Sequence, residues 1–149
     1  MNLTILRLHE LPVSQRALIF AAAEQLHRQL RPKLPQEYAT YMETMLHEGA
    51  GMLVLSDEDL PVAIGVFRMN HTTFAGLRFY VDDLVTDEAK RSRGYGKYLL
   101  DALKQEATAK GCHAFTLESG SQRAQAHKFY FREGMTIPGF SFQSSLSAW

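Results

Sequence analysis

The sequence predicts one α/β domain: a mixed sheet, antiparallel in its early strands and extended later by a crossover, packed with four helices. Three observations predict it. Two strand-like runs flank an acidic turn in "GMLVLSDEDLPVAIGVFRM". Beyond them, helical and strand-like segments alternate. At 149 residues, with 46% apolar and 21% charged content, the chain has the size and composition of one globular domain with a substantial core.

The elements follow in order. Leu3, Ile5 and Leu8 with polar neighbours read as a first strand. In "LPVSQRALIFAAAEQLHRQL", Ala17, Phe20, Ala21, Glu24 and His27/Arg28 step at helical spacing, and Pro32 and Pro35 end that helix. "PQEYATYMETMLHEG" predicts a second helix, with Pro35 near its start and Gly49 after its end. The hairpin turns at Ser56 to Asp59. "FAGLRFYVDDLVTD" is a longer strand carrying two aspartates. A third helix runs to about Lys110 and is closed by Gly111. "CHAFTLES" is a strand, "SQRAQAHKFYFREG" a helix ended by Gly134, and "GFSFQSSL" alternates like a last strand.

Composition narrows the function classes. Sixteen basic residues balance sixteen acidic ones, so no nucleic-acid partner is expected. Cys112 is alone, which rules out an internal disulfide. No apolar run approaches the roughly 20 residues of a membrane span, and "MNLTILRLHEL" lacks the pattern of a signal peptide. The expectation is a cytoplasmic protein with no membrane partner. The six histidines show no metal-ligand spacing, so no metal is expected. Cys112 beside His113 suggests a nucleophile pair, but strand alternation sends the two to opposite faces, which favours a packed cysteine.

The chemistry-bearing stretch is "KRSRGYGKYLL", Lys90 to Leu100, with four cations and two glycines ahead of a helical run. It is not a P-loop, because position 91 is Arg and position 98 is Tyr. It is not a dinucleotide fingerprint, because position 99 is Leu where a third glycine belongs. What remains is a glycine turn at a helix start, with Lys90, Arg91, Arg93 and Lys97 around it. Free N–H groups and the positive dipole end suit an anion, most simply a phosphate or pyrophosphate. On this stretch alone, a solvated helix start serves equally well.

Read as Arg91-x-x-Gly94-x-Gly96, the turn resembles the acyl-CoA signature Gln/Arg-x-x-Gly-x-Gly/Ala of the GNAT family of N-acetyltransferases. The preceding "DDLVTDEAKR" resembles the end of that family's fourth strand, and "GYGKYLLDALKQEAT" its third helix. After a fifth strand, Ala126, Phe129, Tyr130 and Gly134 resemble the family pattern Ala-x-x-Phe/Leu-Tyr-x-x-x-Gly-Phe, with Met135 in place of the aromatic. Arg123 stands where many relatives have asparagine. The motifs cover residues 74 to 142; the first 50 residues match in layout only. The resemblance implies a GNAT fold over residues 1–149: a mixed, mostly antiparallel sheet of six to seven strands with about four helices, splayed between the fourth and fifth strands.

It also implies acetyl-CoA as cosubstrate. Its pyrophosphate would lie on the N–H groups from Arg93 through Gly94, Tyr95 and Gly96 to Lys97, with Arg91, Arg93 and Lys97 pairing with phosphates. Its pantetheine arm would run along the backbone of Leu84 and Val85, where an N–H can polarise the thioester carbonyl. The reaction is attack of an amine, which is almost wholly protonated at neutral pH, so a base helps. Asp82, Asp83 and Glu118 are the carboxylate candidates. Alternation directs Asp82 and Asp83 to opposite faces unless a bulge intervenes. Tyr130 matches the family tyrosine that protonates the departing thiolate. The acceptor region would involve Tyr38, Tyr41, Met42 and Met45 with Glu37, Glu43 and Glu48, and a small-molecule amine is the expected acceptor. A protein amine, or a non-catalytic acyl-CoA-binding role, are the other readings. A homodimer is a further expectation, for which "GFSFQSSLSAW" offers an aromatic surface.

Overall fold

The computed structural model describes residues 1–149. The chain forms two compact units, Met1–Thr116 and Leu117–Trp149. The first holds β1 (Leu3–Arg7), α1 (Val13–Leu30), α2 (Tyr38–His47), β2 (Gly51–Asp57), β3 (Leu60–Thr72), β4 (Gly76–Thr86), α3 (Tyr95–Ala109) and most of β5 (Ala114–Leu117). Short 3-10 turns occupy Leu8–Glu10 and Glu88–Lys90. Sheet order is β1-β2-β3-β4-β5, and the first four strands are joined antiparallel. No helix is long and apolar enough to cross a membrane.

The hairpin predicted around the acidic turn is present. Asp57 pairs with Leu60, and the two residues between, Glu58 and Asp59, have φ of 51° and 66°. Positive φ at both central positions is the type I′ geometry that matches strand twist. The second helix starts at Tyr38, three positions beyond Pro35.

The sheet has two covered faces. Ile64 and Val66 of β3 pack with Phe20, Leu26, Tyr38 and Met42 of α1 and α2. The alternate residue Gly65 faces α3, where any side chain would run into Leu103. The buried residues Tyr95, Leu99, Leu100, Leu103 and Ala107 form the apolar stripe that α3 lays on that face.

β4 carries a bulge. Its register with β3 steps from Val66↔Asp83 to Phe67↔Val81, leaving Asp82 without an opposite residue. Paired residues share a face. Val81 therefore joins Phe67 on the α3 side, while Asp83 joins Val66 on the α1/α2 side. Without the extra residue, Asp83 and Val81 would point the same way.

β5 lies beside β4, and the two are tied where the His113 N–H donates to the Leu77 carbonyl at 2.7 Å. The sheet thus has five strands, fewer than the six to seven expected. The segment "GFSFQSSL" forms no strand, and Phe142 and Leu146 are 95% and 96% exposed. Alternation alone does not make a strand; its backbone groups need a partner ladder.

The unit Leu117–Trp149 contains α4 (Ala124–Arg132). The Met135 N–H donates to the Tyr130 carbonyl and the Gly134 N–H to that of Phe131, both at 3.0 Å. These are the two bonds of a Schellman end, placed where Gly134 predicted the helix would stop.

Candidate functional site

The end of β4 is held by side chains from α1 and β3. His27 in the last turn of α1 and Arg31, the residue that caps its end, reach the same carboxylate. His27 Nε2 is 2.6 Å from Asp83 Oδ2, and Arg31 Nε donates to Asp83 Oδ1 at 2.8 Å. Arg31 Nη2 also donates to the Asp82 carbonyl at 3.0 Å. Asp82 is gripped by Arg68, whose Nε and Nη2 donate to its two oxygens at 2.7 and 2.6 Å. Arg68 shares the face of Ile64 and Val66 by alternation, so the bulge brings both aspartates to the α1/α2 side. The expected opposition of Asp82 and Asp83 holds only for a regular strand.

His27 is buried, and its Nδ1 lies 2.8 Å from the Tyr38 hydroxyl. Burial, with Glu24 and Asp83 nearby, pushes the Tyr38 phenol far above its usual range, so it remains a donor. Asp83 is an acceptor. The tautomer that satisfies both carries its proton on Nε2, accepts from Tyr38 at Nδ1 and donates to Asp83. Burial raises the Asp83 pKa, but the hydrogen bond from His27 and the Arg31 guanidinium outweigh it and hold the carboxyl below its ordinary value. Both Asp83 oxygens are engaged, which argues against it as a free base. Sequence reasoning placed Tyr38 near the acceptor, but Tyr38 and Met42 are core residues. It did not foresee His27, Arg31 or Arg68; the only signal was a histidine and an arginine four apart at the end of α1.

Leu84 and Val85 follow the bulge. Leu84 is half-buried, and Val85 packs in the core beneath α1 and α2. The glycine turn then begins. Asp87 donates its N–H to the Val62 carbonyl at 2.9 Å, and its carboxylate accepts the Ala89 N–H at 3.1 Å. Gln29 of α1 accepts the Glu88 N–H at 2.9 Å. Arg91, Arg93 and Lys97 are exposed. Gly94 sits at the start of α3 with φ 83°, a left-handed conformation that favours glycine, and no side chain caps the helix. The backbone N–H groups of Tyr95 and Gly96 fall in the first turn, where an α-helix has no carbonyl of its own to offer them. Uncapped donors, the positive end of a fifteen-residue helix and flanking cations together fit a phosphate group. The Tyr95 ring turns the other way, into the protein, and its hydroxyl donates to Asp57.

An open cavity of about 500 Å³ is lined by His9, Val13, Arg16, Glu43 and His47. It lies at the start of α1, roughly 20 Å along the helix from His27, so it is remote from the β4 bulge. His9 and Glu106 sit 3.7 Å apart near it, but Arg7 already binds Glu106 at 2.8 Å, and His9 Nδ1 accepts the Met52 N–H. The remaining His9 nitrogen then carries a proton and has no lone pair for a metal.

In the second unit, Tyr130 is half-buried on α4. Burial raises its phenol pKa, with Arg123 opposing, so the hydroxyl stays protonated at neutral pH. Glu118 is exposed. His127 is half-buried, with Nε2 2.9 Å from the Gly120 carbonyl.

Residues 19–135 match the model of the acetyltransferase (GNAT) family. The chain belongs to that family. The matched span contains the β4 bulge, the whole Arg91–Lys97 turn, Glu118 and Tyr130. Among curated proteins, the uncharacterized N-acetyltransferase YhdJ of Bacillus subtilis strain 168 is 42% identical over 69 residues. That match covers 46% of this chain and 49% of YhdJ, about half of each. Solved structures share the GNAT fold at low identity. An aminoglycoside N-acetyltransferase, AAC(6')-Iy, in complex with CoA superposes with a TM-score of 0.81 at 14% identity, covering 98% of this chain and 96% of that one. A ribosomal-protein-alanine N-acetyltransferase from Brucella melitensis biovar Abortus 2308 gives 0.79 at 19% identity, covering 98% and 100%.

Proposed function

We propose that the protein is an acetyl-CoA-dependent N-acetyltransferase acting on a primary amine of a small molecule. The observation that carries this is the uncapped start of α3 at Gly94, directly after a bulged β4, in a chain of the GNAT family. The backbone donors of Tyr95 to Lys97 hold the pyrophosphate, and Arg91, Arg93 and Lys97 add charge. Because these cations are exposed, each pair adds at most about 1 kcal/mol, and the backbone sets position. The pantetheine arm runs along Leu84 and Val85, and an N–H freed by the bulge polarises the thioester carbonyl.

The amine nitrogen attacks the carbonyl carbon, the C–S bond breaks, the thiolate takes the Tyr130 proton, and the second proton shed by the nitrogen restores that phenol. The proton lost by the ammonium passes to water, drawn by the carboxylates of Asp82, Glu118 or Asp83. Asp82 and Asp83 serve mainly to fix the bulge, since Arg68 holds both oxygens of the first and His27 and Arg31 those of the second. AAC(6')-Iy, an aminoglycoside acetyltransferase, supports a small amine as acceptor. The neighbour that acetylates a ribosomal-protein alanine supports a protein amine as the second reading. A cytoplasmic location is part of the proposal, and so is a homodimer through the exposed Phe140, Phe142, Leu146 and Trp149.

The test is a thermal shift with acetyl-CoA, followed by a panel of amines read by free-thiol release. Stabilisation by acetyl-CoA and thiol release with a small amine are expected. Stabilisation without release from any small amine or peptide would leave an acyl-CoA-binding protein instead.

A further inference from the structure

We infer that the Tyr95 side chain is a positioning residue that aims the pyrophosphate-binding turn, by anchoring it to Asp57 at the β2–β3 hairpin. The inference rests on the proposed acetyl-CoA site and concerns how that site is held.

The segment Arg91–Gly94 makes few bonds of its own. On its N-terminal side the chain is fastened by Asp87 to Val62 and by Glu88 to Gln29. On its C-terminal side the first helical residue is Tyr95, and its ring is 2% exposed although it stands between two residues of an open turn. A buried phenol needs a hydrogen-bond partner. That partner is Asp57, the last residue of β2, whose other oxygen accepts the Asn2 N–H at 3.0 Å. Asp57 itself is fixed opposite Leu60 across the tight Glu58–Asp59 turn. The Arg93 guanidinium is within hydrogen-bonding reach of the Tyr95 hydroxyl, and Lys90 is near enough to favour the charged form of Asp57. The turn is thus bracketed by two anchors on different elements, and the first turn of α3 begins between them.

The bond is charge-assisted, hence stronger than a neutral one. It also fixes the rotation of the first turn of α3, which sets where the N–H groups of Tyr95 to Lys97 point. A small rotation there misaligns several donors at once, because hydrogen bonds weaken steeply with angle. The thioester lies against β4, so the chemical step is left intact once the cosubstrate is bound. The effect therefore belongs to acetyl-CoA binding.

The test compares wild type, Tyr95→Phe, Asp57→Ala and the double variant by steady-state kinetics and by calorimetric titration with CoA. Phenylalanine keeps the buried ring, so the fold is retained. In each single variant the KM for acetyl-CoA and the CoA dissociation constant rise about tenfold, while kcat and the acceptor KM stay within about twofold. The double variant is no worse than either single one, since both remove the same bond. An unchanged CoA affinity in Tyr95→Phe, a parallel loss of kcat and acceptor binding, or additive effects in the double variant would overturn the inference. Failure of the wild type to bind CoA overturns the proposed function and this inference with it; normal binding by both wild type and Tyr95→Phe overturns the inference alone.

Discussion

Asp83 on the bulged strand and His27 on α1 meet at 2.6 Å, and this pair joins the sheet to the helix that covers it. It exists because one extra residue, Asp82, turns Asp83 from the α3 side of the sheet to the α1 side. The contact links a register defect in β4 to the interior of the α1/α2 layer, where Tyr38 completes the chain.

Removing His27 leaves two buried polar groups short of a partner. His27→Ala costs about 2–4 kcal/mol, combining a cavity with the unpaired Tyr38 hydroxyl and a weakened Asp83 pairing. Urea denaturation measures it. A loss below about 0.5 kcal/mol would show that the Asp83–His27–Tyr38 chain does not hold the layer together.

The depressed Asp83 pKa sets the direction of an acid effect. The folded carboxyl releases its proton at lower pH than the unfolded one, whose value is about 3.9. Its contribution to stability is complete above that unfolded value and is lost as pH falls through the lower folded value. Chemical denaturation between pH 6 and the acid limb should show a steeper loss for wild type than for Asp83→Asn. Identical slopes would remove Asp83 from the acid response.

Within the protein, Gly94 is required by backbone conformation and not by packing. A Cβ at this position meets nothing within 4 Å, so alanine creates no clash inside the protein. With φ at 83°, however, it pays about 1–2 kcal/mol of left-handed strain. Gly94→Ala should lower stability by roughly that amount, read by urea titration. An unchanged stability would mean that the turn does not hold this conformation in solution.

Tyr130→Phe separates binding from chemistry. The ring stays half-buried, and only the proton donor is lost. The kcat should fall at least about tenfold, with the KM for acetyl-CoA within about twofold. Wild-type turnover in this variant would exclude the hydroxyl from protonating the thiolate.

Much of this architecture was legible in the sequence. The acidic hairpin, the four helices and the turn before α3 follow from alternation, helical spacing and breaker residues, which are local. The bulge was not legible, because "YVDDLVT" alternates acceptably in either register and only pairing with β3 selects one. For the same reason the partners of Asp82 and Asp83 were hidden, since they come from α1 and β3, 14 to 56 residues away. The alternation of "GFSFQSSL" misled in the opposite direction, with a strand pattern but no neighbouring ladder. In the glycine turn, the sequence showed which residues were present but not that the Tyr95 ring points inward to Asp57.

The turn from Arg91 to Lys97 is the proposed seat of the acetyl-CoA pyrophosphate. Calorimetric titration of CoA into wild type and Gly94→Val, with folding checked by circular dichroism, tests it most directly. The account predicts one site per chain in the wild type and at least about a thirtyfold weaker affinity in the folded variant, where the branched side chain occupies the phosphate's approach and distorts the turn. Equal affinity in the two folded proteins would contradict it.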